Sequence, residues 1–381
     1  MQYIRRSRIT IWILAVLLIA GAVSAEKNPR NVIMMIGDGM GPAQVTYAGL
    51  MLNEGGNLLR MESMPHSAFV KTQAANAVIT DSAAAGTALA SGFKTNNGMI
   101  SSLPDGTPVE TILERAMKLG KSTGLVTTTT ITHATPASFG SHVNNRGDEA
   151  DIAPQYIEKA IDVLMGGGRA FFIPKSLTGS ARKDERNLIT EAAKGGYRIC
   201  YRRDSMLSVG QGKLLGLFEL GAMTTEAPEP SLAEMTNKAI SLLSSDEDGF
   251  FLMVEGGQID WRCHANDAPG ALKQMRDFDE AVGIALDFAR KRKDTLVIVT
   301  ADHETGGLTL VSPEKDSKDR IGAKFSTTDH TALNVPLFAE GPGSALFDGV
   351  IENTSVPRMI ASLWKAKTFA QLPVKVPAKV N

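Results

Sequence analysis

Residues Asn31–Gly41 read NVIMMIGDGMG. A run that is apolar after Asn31 is followed at once by an aspartate between glycines. A short apolar run of this kind suits a strand covered on both faces, and the turn after it puts Asp38 at the strand's carboxyl end. The same form occurs twice more. Phe250–Val254 (FFLMV) leads into Glu255-Gly-Gly-Gln-Ile-Asp260-Trp-Arg-Cys-His264, and Thr295–Thr300 (TLVIVT) leads into Ala301-Asp302-His303-Glu304-Thr-Gly-Gly. Three strands that each end in a carboxylate point to one place, because ligands of open α/β sheets bind at the carboxyl ends of the strands.

The segments between these runs fit that frame. Helical spacing or helix-permissive composition covers Pro42–Glu54, Ala83–Ser91, Val109–Leu119, Ile152–Leu164, Leu232–Leu243 and Ala271–Arg292, while Ser122–Thr128 and Val335–Ala339 read as further strands. Alternation of this kind predicts an α/β fold around a mostly parallel sheet. Two stretches interrupt it: Gly166–Gly221, rich in Gly, Lys and Arg, reads as a surface excursion, and Ser312–Phe325 as a charged loop. The end of the chain, about 366–381, has weak periodicity and reads as loosely packed.

The chain has 381 residues, 43% hydrophobic, with a formal net charge of −1, a balance that gives no sign of a nucleic-acid binder. Arg5, Arg6 and Arg8 precede an apolar stretch, Ile9–Ala20, and small residues up to Ala25. That is the form of a cleaved signal peptide over residues 1–25, which predicts a periplasmic or secreted protein with no membrane attachment after cleavage. The leader carries three arginines and no acid, so its removal takes the net charge from −1 to −4. Residues 26–381 read as a single domain. The only cysteines, Cys200 and Cys263, are open to two readings, a disulfide or a pair of buried thiols.

Ile79–Gly92 reads ITDSAAAGTALASG, which strips bulk from around one hydroxyl, Ser82. Ser or Asp before an Ala-rich segment is an ordinary helix N-cap. An uncrowded serine at a helix N-terminus is also placed to meet an anionic substrate. Both uses stay open on this stretch alone; the carboxylate-ended strands add that converging carboxylates repel unless cations neutralise them. Of six histidines, His264 lies one helical turn after Asp260, His303 adjoins Asp302, and His330 follows Asp329. Mixed Asp and His ligands suit zinc, and the oxygens of Asp38 and Glu255 suit magnesium. In His133-Ala-Thr-Pro-Ala-Ser-Phe-Gly-Ser-His-Val-Asn-Asn-Arg146, the planar guanidinium of Arg146 can grip two phosphate oxygens.

GDGMG, ITDSAAAGTALASG, THATPASFGSHVNNR, VEGGQIDWRCHAND, TADHETGG and TTDHT together resemble the alkaline phosphatase family, in the family's order, over about residues 31 to 340. The resemblance implies a three-layer α/β sandwich, hydrolysis of phosphate monoesters through a phosphoserine, two zinc ions, one magnesium ion and a homodimer. It carries the nucleophile onto Ser82 and the phosphate-binding arginine onto Arg146. Asp260, His264 and His330 match the first zinc site. Asp38, Asp302 and His303, with Ser82, match the second. Asp38, Thr135 and Glu255 match the magnesium site. His66 and His142 match no ligand and read as structural. The best-known bacterial pattern has Asp in place of His133 and Lys in place of Trp261, so the third-site metal stays open: an imidazole suits a softer ion. The chain is short for the family, which implies missing surface insertions.

Two rival enzymes and one non-enzyme remain in view. A sulfatase would show Cys or Ser in a C/S-x-P-x-R context, whereas Ser82 is followed by three alanines. A phosphodiesterase of the same superfamily usually lacks an arginine like Arg146. A non-catalytic metal- or phosphate-binding protein has no need of an uncrowded serine.

Overall fold

The computed structural model describes residues 28–52, 58–314 and 320–371. The leader expected at 1–25 and most of the loosely packed tail, from 372 on, lie outside them. Fourteen strands follow in chain order: β1 (Asn31–Gly37), β2 (His66–Lys71), β3 (Ser122–Thr130), β4 (Val163–Gly167), β5 (Tyr197–Cys200), β6 (Lys213–Leu217), β7 (Phe250–Gly256), β8 (Thr295–Thr300), β9 (Glu304–Thr305), β10 (Leu308–Val311), β11 (Gly322–Phe325), β12 (His330–Thr331), β13 (Val335–Glu340) and β14 (Gly349–Glu352). Ten form one sheet in the order β14-β2-β13-β8-β1-β7-β3-β4-β6-β5. Only β13 runs against the others, through its antiparallel ladders with β2 and β8.

The apolar runs lie at the centre. Every residue of β1, β7 and β8 is buried, as parallel strands covered on both faces should be. Helices Pro42–Leu52, Leu232–Leu243 and Ala268–Arg292 pack together on one side of the sheet, and Ser82–Ser91, Ile112–Lys118, Ala134–Gly140 and Ser355–Leu363 on the other. Local signals end several of them. Thr111 and Glu114 form a capping box at Ile112–Lys118, as Ser231 and Glu234 do at Leu232–Leu243.

Register places the site. Ile36 on β1 stands opposite Glu255 on β7 and Thr300 on β8. Thr127 on β3 stands opposite Glu255 on its other side. Asp38, two residues past Ile36, and Asp302, two past Thr300, therefore emerge at one level beside Glu255, from adjacent strands.

Three expectations are corrected. The helix expected over Ile152–Leu164 is Glu149–Glu158, and Val163 and Leu164 belong to β4. Ala160 takes a positive φ of 59° that breaks the helix, and the apolar run beyond pairs with β3 and β6. Tertiary pairing overrides the helical period there. The surface excursion expected over 166–221 instead contributes β5, β6 and the end of β4 to the main sheet. Its glycines mark close packing as well as loops: a Cβ on Gly167 would stand 2.1 Å from the Gly221 carbonyl oxygen. Within the charged loop expected over 312–325, β11 pairs with β10. Cys200 and Cys263 are buried free thiols. No helix among the described residues is long and apolar enough to cross a membrane.

Candidate active site

The strand ends bring three groups of metal-ligating side chains together: Asp38 with Asp302 and His303, Asp38 with Glu255 and His133, and Asp260 with His264 and His330. Asp38, Glu255, Asp302 and His303 are buried completely. Asp38 is common to the first two groups because β1 lies between β7 and β8. Asp260 and His264 come from the short helix Gln258–His264 that follows β7, one turn apart, with Asp260 Oδ2 and His264 Nε2 separated by 3.3 Å. His330 arrives from β12, opposite Thr305 on β9.

Hydrogen bonds fix the imidazole tautomers. His264 Nδ1 lies 2.6 Å from the Thr328 carbonyl oxygen, and His330 Nδ1 lies 2.8 Å from that of Thr80. A carbonyl only accepts, so each Nδ1 carries the proton and each Nε2 turns its lone pair inward. The two Nε2 atoms meet at 3.2 Å. Two lone pairs at that distance need a proton or a metal ion between them. Hydrogen bonding to Asp260, which outweighs partial burial, raises the His264 pKa to about 9. Burial opposes the Asp260 charge, but the bond to His264, the neighbouring His303 and the Thr305 hydroxyl outweigh it and lower the Asp260 pKa.

His303 is set the same way. Its Nδ1 lies 3.2 Å from Thr305 Oγ1, whose hydroxyl donates to Asp260 Oδ1. Its Nε2 is thereby an acceptor, and it stands 3.2 Å from Ser82 Oγ, 3.3 Å from Asp302 Oδ2 and 3.5 Å from Asp38 Oδ1. Burial, opposed by the charge of Asp302, lowers the His303 pKa.

Ser82 opens the buried helix Ser82–Ser91, with Asp81 as N-cap accepting from the Ala84 amide at 2.9 Å. The other Asp81 oxygen accepts from Arg146 Nη1 at 3.1 Å, and Arg146 Nη2 stands 3.2 Å from His133 Nε2. The guanidinium is thus aimed by two groups beside the serine. Thr135 lies in the first turn of Ala134–Gly140. Trp261, 37% exposed, stands at the edge of the His133 ring. His66 and His142 lie elsewhere, on Asp348 and on Glu114 with the Ser101 carbonyl.

The donor set fits metal ions. Buried polar atoms are nearly always hydrogen-bonded. Here both oxygens of Asp38, Asp302 Oδ2, Glu255 Oε1, Thr135 Oγ1 and His133 Nδ1 are buried with no hydrogen-bond partner among the described residues. Burial first, then the charges of Asp302, Asp260 and Glu255, raise the Asp38 pKa well above the carboxylate range. Burial, reinforced by Asp302, raises that of Glu255 to about 7 even though Thr127 donates to it. Carboxylates pushed this far without a counter-charge are what a bound cation would restore to their ionised form.

The sequence alone did not single out Asp81 or Thr305 as parts of the site. Thr305 stands inside the TADHETGG stretch, but a threonine announces no role without its partner.

The alkaline phosphatase family model matches residues 29–323. Alkaline phosphatase 3 of Bacillus subtilis is 44% identical, over 87% of this chain and 88% of its own. The tissue-nonspecific alkaline phosphatase isozyme of Rattus norvegicus is 35% identical, over 90% of this chain and 76% of its own. Among solved structures, alkaline phosphatase from the Antarctic bacterium TAB5 superimposes with a TM-score of 0.82 at 37% identity, covering 89% of this chain and 99% of that one. A TAB5 variant with a histidine replaced by aspartate, TM-score 0.81, has Mg bound in its M3 site. The chain belongs to the alkaline phosphatase family, and it is a metal-dependent hydrolase of phosphate monoesters.

Proposed function

We propose that Ser82 is the nucleophile of a two-step phosphoryl transfer and that the three carboxylate–histidine groups hold the metal ions. The observation that carries this is the set of buried, unpartnered carboxylate oxygens on Asp38, Asp302 and Glu255, with the buried Ser82 hydroxyl 3.2 Å from His303 Nε2 beside Asp38 and Asp302. Asp260, His264 and His330 suit one zinc ion; Asp38, Asp302 and His303, with Ser82, suit a second. Asp38, Glu255 and Thr135 suit magnesium; a softer ion on the unpartnered Nδ1 of His133 would require the ring proton to move to Nε2, which here accepts from Arg146. Bound there, the ions would supply Lewis-acid stabilisation of the oxygens that gain charge in the reaction.

The chain's own residues account for the rest. Ser82 Oγ attacks phosphorus, the Oγ–P bond forms as the ester P–O bond breaks, and the serine proton ends on the departing alcohol. Water then breaks the Oγ–P bond, which releases inorganic phosphate and restores the hydroxyl. The helix N-terminus at Ser82 favours the anionic oxygen. Arg146, already oriented by Asp81 and His133, holds two phosphoryl oxygens through its fork. His133 stays neutral, because burial and then the Arg146 charge lower its pKa to about 3. The leader over 1–25 supports export to the periplasm or beyond, and the family resemblance supports a homodimer of single-domain chains.

One experiment tests this. Ser82→Ala should lose the phosphoryl label that wild type traps from substrate and lose turnover by about three orders of magnitude or more. Hydrolysis of a phosphate monoester should far exceed that of a diester or a sulfate ester. Label retained in Ser82→Ala, or found on another residue, overturns the assignment.

A further inference from the structure

Glu304 lies in none of the three groups above, yet it is completely buried. Its acceptor contacts are all to uncharged donors. Oε1 accepts from Gln44 Nε2 at 2.8 Å and from the Leu308 amide at 3.2 Å. Oε2 accepts from the Gly307 amide at 3.3 Å and from the Thr331 hydroxyl. Gln44 sits on helix Pro42–Leu52, and its amide also donates to the Thr305 carbonyl at 2.8 Å. The loop after β1 is shaped around Glu304 as well: a Cβ on Gly41 would stand 2.1 Å from Glu304 Cγ. A charge buried among neutral donors costs free energy that a packed apolar side chain would not. Its geometry shows what the charge is used for.

The β9–β12 ladder pairs Thr331 with Glu304 and His330 with Thr305. A ladder of two residues a side cannot hold its own register in water. Glu304 clamps it from one position, through a charge-assisted hydrogen bond to the Thr331 hydroxyl. Thr305 ties the next position to Asp260. The residue held between these two restraints is His330, whose Nε2 must meet His264 and Asp260.

We infer that Glu304 is a positioning residue for the Asp260/His264/His330 group, acting through Thr331 to hold the His330 imidazole in register. The inference rests on the reading that this group binds a metal ion, and the test separates the two.

Zinc affinity is measured on metal-free full-length protein by competition with a chelating dye. The variants are Thr331→Val, Thr331→Ser and Glu304→Gln, each with and without His264→Ala. His264→Ala alone should remove one class of zinc site. Thr331→Val and Glu304→Gln should weaken that same class by about 10- to 100-fold. Thr331→Ser keeps the hydroxyl and should match wild type. In the His264→Ala background neither Thr331→Val nor Glu304→Gln should reduce the remaining zinc binding. If Glu304→Gln fails to fold, Thr331→Val carries the test, since it removes one hydroxyl at nearly constant shape. A lower melting temperature in Thr331→Val with zinc affinity unchanged makes Glu304 a core residue only and overturns the inference. Zinc binding unaltered by His264→Ala removes the reading beneath it and the inference with it.

Discussion

The indole of Trp261 stands edge-on to the imidazole of His133, ring centroids 6.0 Å apart and planes at 83°. His133 is neutral, and Trp261 offers one N–H and no charge. Beside Arg146 the site therefore presents two weakly polar rings where the best-known bacterial pattern carries Asp and Lys. Trp261→Lys should tighten inhibition by inorganic phosphate about tenfold at alkaline pH, from one added charge-assisted hydrogen bond of roughly 1.5 kcal/mol. Where phosphate release limits turnover, kcat should fall with it. The check is the phosphate inhibition constant with metal content verified. An unchanged constant would make Trp261 a packing residue of the site wall.

Metal removal should separate the groups. Chelation should abolish activity, and zinc with magnesium should restore it. His330→Ala leaves the ligand atoms of Asp38, Asp302 and His303 in place, though it removes the ring stacked on His303 at 3.6 Å, and it deletes one of the two inward-facing Nε2 atoms beside Asp260. Elemental analysis at controlled free zinc should show one site weakened and the other retained. Full activity in a preparation shown to be metal-free would refute the assignment.

Helix Ser82–Ser91 lies against the helix that carries Thr135, and the contact depends on Gly86. A Cβ there would stand 2.8 Å from Ser138 Oγ and 3.6 Å from Thr135 Cα. In an open helix, Gly→Ala would stabilise by about 1 kcal/mol. Here Gly86→Ala should destabilise by about 1–3 kcal/mol, because the added methyl overpacks the contact. It should also lower kcat/KM by moving Ser82 relative to Thr135. Urea unfolding beside steady-state kinetics checks both, and a stabilised variant would sink the argument.

Acid should expose the role of His142. Its Nε2 lies 2.8 Å from Glu114 Oε1, and Lys159 Nζ is 2.9 Å from the same oxygen. Burial opposes the Glu114 charge, but His142 and then Lys159 outweigh it and lower the pKa from 4.5 to about 2. The folded pKa is depressed. The stabilisation is therefore present above pH 4.5 and is lost as pH falls toward 2, with a ceiling of about 3 kcal/mol. Glu114→Gln should thus be less stable than wild type at pH 7, and the gap should close between pH 4.5 and pH 2. Urea unfolding at pH 7, 4 and 2.5 reads this directly. A gap independent of pH would mean that the carboxylate's charge contributes nothing there.

The sequence by itself determined the scaffold and the chemistry available to it. NVIMMI, FFLMV and TLVIVT are runs that only a strand covered on both faces can bury, and the carboxylates after them are fixed to the strand ends by covalent connection. The spacing of Asp260 and His264 is likewise local, one turn of one helix. Only the tertiary structure decided which candidate ligands meet. That depends on strand order: β1 lies between β7 and β8, so Asp38 faces Glu255 on one side and Asp302 on the other. It depends too on a ladder that brings His330 against a helix some seventy residues earlier in the chain. Val163 and Leu164 read as helix, and 166–221 as surface, for the same reason: their strand pairing is set by neighbours distant in sequence. Glu304 and Thr305 were in plain view, but a buried carboxylate and a hydroxyl acquire their work from Thr331 and Asp260, and long-range hydrogen bonds leave no period in a sequence.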